Sequence, residues 1–428
     1  MKRKAAALAV GALFIAPAAH AQIVFGNPQL GTLQVYGKLY PQFGYGSSKD
    51  ATQPGAGVST LVSTTGTLPA GAFIPTPGSR RAIDTQNSYI GFRGERDITS
   101  SRLKFIWQIE QSVQFDTGDA TWSNRNSFLG VRSGWGTVKL GNMDTIYKEY
   151  GDTLQMFGIS SGNFVSASNV LSQIGVGNSS TASFHLRKAN SLQYETPTFS
   201  GVTFGYQYSP DEARDTTNAA ATCTSGPGAG NCGRDASLHS YGVKWDSQQF
   251  YVSLHQEVHN DFFGGSNNVA SALSNVATQG AHSQDLGTRF SAQWRYMPDQ
   301  RITLDVARLK YRENGQAAGV RFESYAHNTW AIGWEAAAFG PWGFAAQYVR
   351  GNQGECTLTG GVGCSTDGLT GYMMNVGVRY RFDRQTFIYA IGSKLNNGPS
   401  ARYDNWAASS PARGADILQA ALGLSYSF

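Results

Sequence analysis

The chain has 428 residues and a formal charge of +5, with 51 Gly, 20 Tyr, 23 Phe and only 15% charged residues. That profile suits strands and tight turns better than surface helices. Its near-neutral balance gives no reason to expect a nucleic-acid partner.

Met1-Lys-Arg-Lys4 is basic, Ala5 to Ala16 is a short apolar run, and Ala19-His20-Ala21 offers a small-x-small cleavage site. This is the pattern of a secretory signal peptide over residues 1–21. The apolar run falls short of the ~20 residues a membrane helix needs. Cleavage would leave residues 22–428 as one domain and lower the charge to +2 (5 − 3) by removing Lys2, Arg3 and Lys4.

Period-two alternation then recurs to the end of the chain. Leu33, Val35, Leu39 and Phe43 oppose Gln34, Lys38 and Gln42. Between 102 and 115, Leu103, Phe105, Trp107, Ile109, Val113 and Phe115 oppose Arg102, Lys104, Gln108, Glu110, Ser112 and Gln114. Only a strand separates residues this way. Val202, Phe204, Tyr206 and Tyr208 repeat the pattern, as do Phe290, Ala292, Trp294 and Tyr296, and then Tyr372, Met374, Val376, Val378, Tyr380 and Phe382. The final segment sets Leu418, Leu422, Leu424 and Tyr426 against Gln419, Ser425 and Ser427, and ends on Phe428. About sixteen segments of roughly ten residues match the strands of a transmembrane barrel.

Short connections such as 197–201 and 297–300 alternate with long ones near 47–85, 209–236, 259–285, 351–370 and 396–414. An outer-membrane barrel has this arrangement, with short periplasmic turns and long extracellular loops. The soluble alternative is a sandwich or propeller. So many aromatic-rich strands would then need more than one core, and no linker divides the chain.

Cys223 with Cys232, and Cys356 with Cys364, form two close pairs in Gly/Ser/Thr-rich loops. Two local disulfides are the simplest reading for an exported chain, each contributing roughly 2–3 kcal/mol. Neither pair has the ligand spacing of a metal site, and no cofactor is expected. None of the histidines lies in a catalytic motif, so no enzymatic activity is expected. His255 and His259 stand about 13 Å apart along a strand, too far for joint chelation.

Ser88-Tyr-Ile-Gly-Phe-Arg-Gly-Glu95, Leu103-Lys-Phe-Ile-Trp-Gln-Ile-Glu-Gln111, Asn124-Arg-Asn-Ser-Phe-Leu-Gly-Val131, Gly136-Thr-Val-Lys-Leu-Gly141 and Asp144-Thr145 occur in that order. The chain here resembles the general trimeric porins of β-proteobacteria and Neisseria. The resemblance implies an all-β, 16-stranded antiparallel barrel, a homotrimer in outer-membrane lipid, and passive diffusion of small polar or anionic solutes. It also implies a third loop, roughly 143–184, folded inward as a constriction. Glu149 and Asp152 would be its acids, facing a basic wall of Lys38, Arg93, Arg125 and Arg187. The terminal Phe428 resembles the signal read by the barrel-insertion machinery.

Two features depart from the family pattern. Leu140-Gly141-Asn142 stands where the family often has Leu-Gly-Arg, and the loop lacks a dense acidic cluster. Basic residues outnumbering acids at the narrow zone predict a mild preference for anions. The alternative is a substrate-specific channel for dicarboxylates or sugars on the same barrel.

Overall fold

The computed structural model describes residues 23–27, 31–52, 58–62, 79–98, 102–114, 116–118, 122–177, 179–210, 236–276, 278, 280–405 and 411–428. The expected signal peptide, and the expected Cys223–Cys232 pair, lie outside them.

The strands in chain order are β1 Ile23–Asn27, β2 Gly31–Leu39, β3 Gln42–Lys49, β4 Arg80–Asp84, β5 Tyr89–Asp97, β6 Lys104–Ser112, β7 Ser127–Ser133, β8 Gly136–Asp144, β9 Arg187–Glu195 and β10 Val202–Pro210. They continue as β11 Ser237–Asp246, β12 Phe250–Asn260, β13 His282–Met297, β14 Gln300–Asn314, β15 Phe322–Phe339, β16 Trp342–Gly351, β17 Glu355–Leu358, β18 Gly371–Arg381, β19 Thr386–Asn397 and β20 Asp416–Ser427.

Together they build a closed antiparallel barrel of sixteen staves. β2 and β3 are two halves of one stave, interrupted at Pro41, which has no N–H to give the ladder. β4 and β5 are likewise one stave, broken by a turn in which Ser88 N donates to Thr85 O at 3.1 Å. β1 is a short hairpin arm on β2, and β17 pairs with the upper part of β15.

The barrel closes where β20 pairs with β2 and β3. Phe428 completes that seam, exchanging backbone hydrogen bonds with Gly37 at 2.9 and 3.0 Å. No sheet edge is left where first and last staves meet, which is how a barrel avoids an open edge.

Side chains alternate as the sequence pattern predicts. Phe204, Trp294, Val376 and Leu422 stand exposed on the outer surface, while Gln207, Arg379 and Ser425 are buried inside. Arg102, expected on the inner face, lies just before β6 and is exposed, because regular pairing begins at Lys104.

Turns on one rim are tight. At Ser200-Gly201 both residues have positive φ, 49° and 85°, the conformation a two-residue hairpin needs. The wall is uneven in height: β7 has 7 residues, whereas β13, β14 and β15 have 16, 15 and 18. Cys356 and Cys364 are disulfide-bonded in the loop beyond β16.

Candidate functional site: the inward loop and the charged wall

Between β8 and β9 the chain enters the barrel as a loop over residues 145–186. Thr145 caps its first helix, α1 Ile146–Gly151, by accepting a hydrogen bond from Lys148 N. α1 buries Ile146, Tyr147 and Tyr150 against β10 to β13. A second short helix, α2 Ser168–Leu171, packs against β15, β16 and β18.

Apolar anchors hold the loop against the wall. Leu171, Ile174, Val176, Ala182 and Phe184 are fully or almost fully buried, and they join clusters with wall residues such as Leu309, Tyr311, Val349, Met373 and Leu395. Burying a residue of this size stabilises by roughly 1.5–3 kcal/mol. The loop is therefore anchored by its apolar residues, although its sequence reads as a polar Ser/Gly/Asn tail.

The turn at Phe157 and Gly158 crosses toward β2. Phe157 has a φ of 56°, its ring lies 5.0 Å from the Arg379 guanidinium carbon, and its N–H donates to Glu335 at 3.4 Å. Lys38 Nζ donates to Gly158 O, and Asn87 Nδ2 donates to Ser161 O. Asn163 Nδ2 donates to Gln42 Oε1 at 3.1 Å.

These contacts decide where the expected charges fall. Lys38 is tied to the loop backbone and lies 5.0 Å from the Tyr40 ring centre. Arg93 is exposed to the lumen, hydrogen-bonds Gln34 and stacks over Tyr36 at 4.7 Å. Arg125 donates to Glu110 and covers Tyr89 at 4.8 Å. Arg187 pairs with Asp144 at 3.1 Å and donates to Asn126 at 2.9 Å.

The two loop acids differ. Asp152 shares a 2.7 Å hydrogen bond with His185 Nε2. Burial pushes its carboxyl up, but His185, with Lys148 and Arg289, outweighs that and holds it below the ordinary carboxylate range. Glu149 is exposed to the lumen and has no ion-pair partner within 4 Å among the described residues. Enclosure by the wall, and then the like charge of Glu195, raise its carboxyl despite Lys139 and Lys244.

Sequence reasoning missed the group that Glu149 faces. Lys139 on β8 and Lys244 on β11 converge on Glu195 of β9 at 3.3 and 3.5 Å, and Tyr150 of α1 donates to the same carboxylate at 3.1 Å. Lys139 lay on the polar parity of the Gly136–Gly141 segment, but its partners come from other strands. Among the described residues no group of His, Cys, Asp and Glu could hold a metal ion.

A closed antiparallel barrel with an apolar outer belt and an inward loop beside a wall of paired charges defines an outer-membrane-type channel barrel. The family model for Gram-negative porins matches residues 5–400, and the chain belongs to that family. A major outer membrane protein P.IB of Neisseria lactamica is 34% identical over 125 residues, covering 29% of this chain and 34% of the relative. A P.IA protein of Neisseria meningitidis is 30% identical over 211 residues, covering 49% of this chain and 47% of the relative. The chain thus spans less than half the length of these two curated relatives.

Among solved structures, an anion-selective porin from Comamonas acidovorans has a TM-score of 0.61 at 16% identity, with 92% of this chain and 99% of that one covered. OmpF of Salmonella typhi in complex with daunomycin has a TM-score of 0.56 at 15% identity, with 95% and 100% covered. At those identities the likeness is one of fold.

Proposed function

We propose that the chain is exported by its signal peptide, assembles as a homotrimer in the outer membrane, and forms a water-filled channel. Small hydrophilic solutes and ions diffuse through it passively, with a mild preference for anions. Phe428 serves as the signal for the barrel-insertion machinery in this reading.

The carrying observation is the charge arrangement beside the loop. Lys38, Arg93, Arg125, Lys139, Lys148, Arg187 and Lys244 face Glu110, Asp144, Glu149, Asp152 and Glu195, an excess of cations. Opposed charges across an aqueous gap orient dipolar solutes and disfavour apolar ones. At physiological salt the ~8 Å Debye length screens charges outside the narrow zone, so this set dominates.

Reversal potential across a KCl gradient, for the purified protein in a planar bilayer, tests the reading. Chloride preference is expected. A cation-selective pore would overturn the assignment of sign, and absence of conductance would overturn the channel.

A further inference from the structure

A cavity of 300 Å³ lies beside the loop at the long-loop end of the barrel. Its walls are the loop limb over 162–177, the inner faces of β3 and β4, and the segment 402–405. The Asn163–Gln42 and Asn87–Ser161 contacts lie beneath it, making it a recess beside the passage. Gly44 and Gly46 take inward positions on β3 opposite Ala82 and Arg80, so β3 itself sends no side chain into the space.

The lining chemistry is mixed in charge and rich in amides. Arg80 and Asp84 sit on the inner parity of β4, and Arg402 and Asp404 face in from the other side. A site with both signs of charge does not select a simple anion or cation. Asn163, Asn169, Gln173, Asn405 and Gln419 bring side-chain amides to the lining. Side-chain amides both donate and accept, so a guest rich in both donors and acceptors is the natural complement. Planar amide, carboxylate and guanidinium groups pair with hydroxyls, which donate and accept together. The volume lies at the lower end of small-ligand sites.

We propose that this recess binds a small uncharged carbohydrate of mono- to disaccharide size and holds it at the mouth of the passage. The proposal rests on the channel reading above and gives it a solute class.

Isothermal titration calorimetry of the detergent-solubilised full-length protein with maltose reads binding independently of current. Saturable binding is expected for the wild type. Arg80→Gln with Asp84→Asn removes one charge of each sign and is expected to weaken binding about tenfold, with unchanged KCl conductance and reversal potential. Gln86→Ala, in the turn lining the same recess, is expected to weaken it less without altering the ion pairs. Absence of saturable maltose binding to a protein that conducts KCl would overturn the site. So would a double variant that binds like the wild type, or saturable binding of glycine without maltose. A wild type that binds maltose but passes no KCl would uphold the site and overturn the channel reading.

Discussion

The Arg125 guanidinium donates to the Glu110 carboxylate while covering the face of Tyr89, so the pair meets the lumen as a neutralised unit. Removing either partner releases the charge of the other. A unit charge ~5 Å from a permeating ion in water is worth about 0.8 kcal/mol, roughly fourfold for each ion and of opposite sign for anion and cation. Glu110→Gln is expected to raise the chloride-to-potassium permeability ratio by up to about the square of that factor, roughly sixteenfold, and Arg125→Ser with Arg187→Ser to lower it. Reversal potentials across a KCl gradient check both, and equal selectivity in the two variants would contradict the pairing.

Selectivity is also expected to depend on pH through Glu149. Its raised carboxyl takes up a proton above the ordinary carboxylate range. As pH falls through that raised value, the constriction loses a negative charge and anion preference grows. Glu149→Gln is expected to show the acid-side selectivity already at neutral pH, with that titration step absent from its reversal-potential profile.

Asp152 has the opposite sign. Because its folded carboxyl lies below the ordinary range, its stabilisation of the loop is complete above about pH 4 and is lost as pH falls through the depressed value. Asp152→Asn is expected to remove this dependence and to weaken the loop by roughly 1.5–3 kcal/mol, the worth of a hydrogen bond to a charged group. Hydrogen exchange of residues 145–186 against pH measures it. Unchanged protection in the variant would show that the His185 contact does not hold the loop.

The apolar anchors predict a separation between loop and barrel. Leu171→Ala and Ile174→Ala each leave a cavity where a fully buried side chain stood, a change that costs about 2–5 kcal/mol. The loss is expected in the loop, seen as added open-channel noise, while the barrel keeps its resistance to unfolding in detergent. Equal destabilisation of both would show that the loop is part of the barrel's own stability.

Reduction of Cys356–Cys364 is expected to leave conductance unchanged, because the bridge closes a loop on the outer end of β15 and β17. Peptide mapping without reductant should recover that pair, and loss of current on reduction would contradict its peripheral role.

The faces of the strands were legible because period two is local: Leu418 to Tyr426 point outward and Gln419 to Ser427 inward, as their alternation states. The inward course of the loop was legible only through family resemblance. Its physical cause was present in the sequence, since Leu309, Val349, Met373 and Leu395 are apolar at inward positions of a polar lumen. Nothing in a single strand says what covers them. The charged site was least legible. Lys139, Lys244 and Glu195 meet only after the register of β8 through β11 is set, and Lys38 is drawn to Gly158 by a loop fold that no spacing encodes.

The uneven wall has a consequence for how the protein sits in its surroundings. At about 3.3 Å per residue and a tilt near 40°, the 7 residues of β7 rise about 18 Å, whereas the 18 of β15 rise about 45 Å. The oily slab such barrels cross is about 25 Å thick. On its low side a lone copy would pinch the bilayer, and on its high side a rampart would stand clear of it. A neighbouring copy set against the low side would relieve that pinch, leaving the rampart to face outward around the assembly.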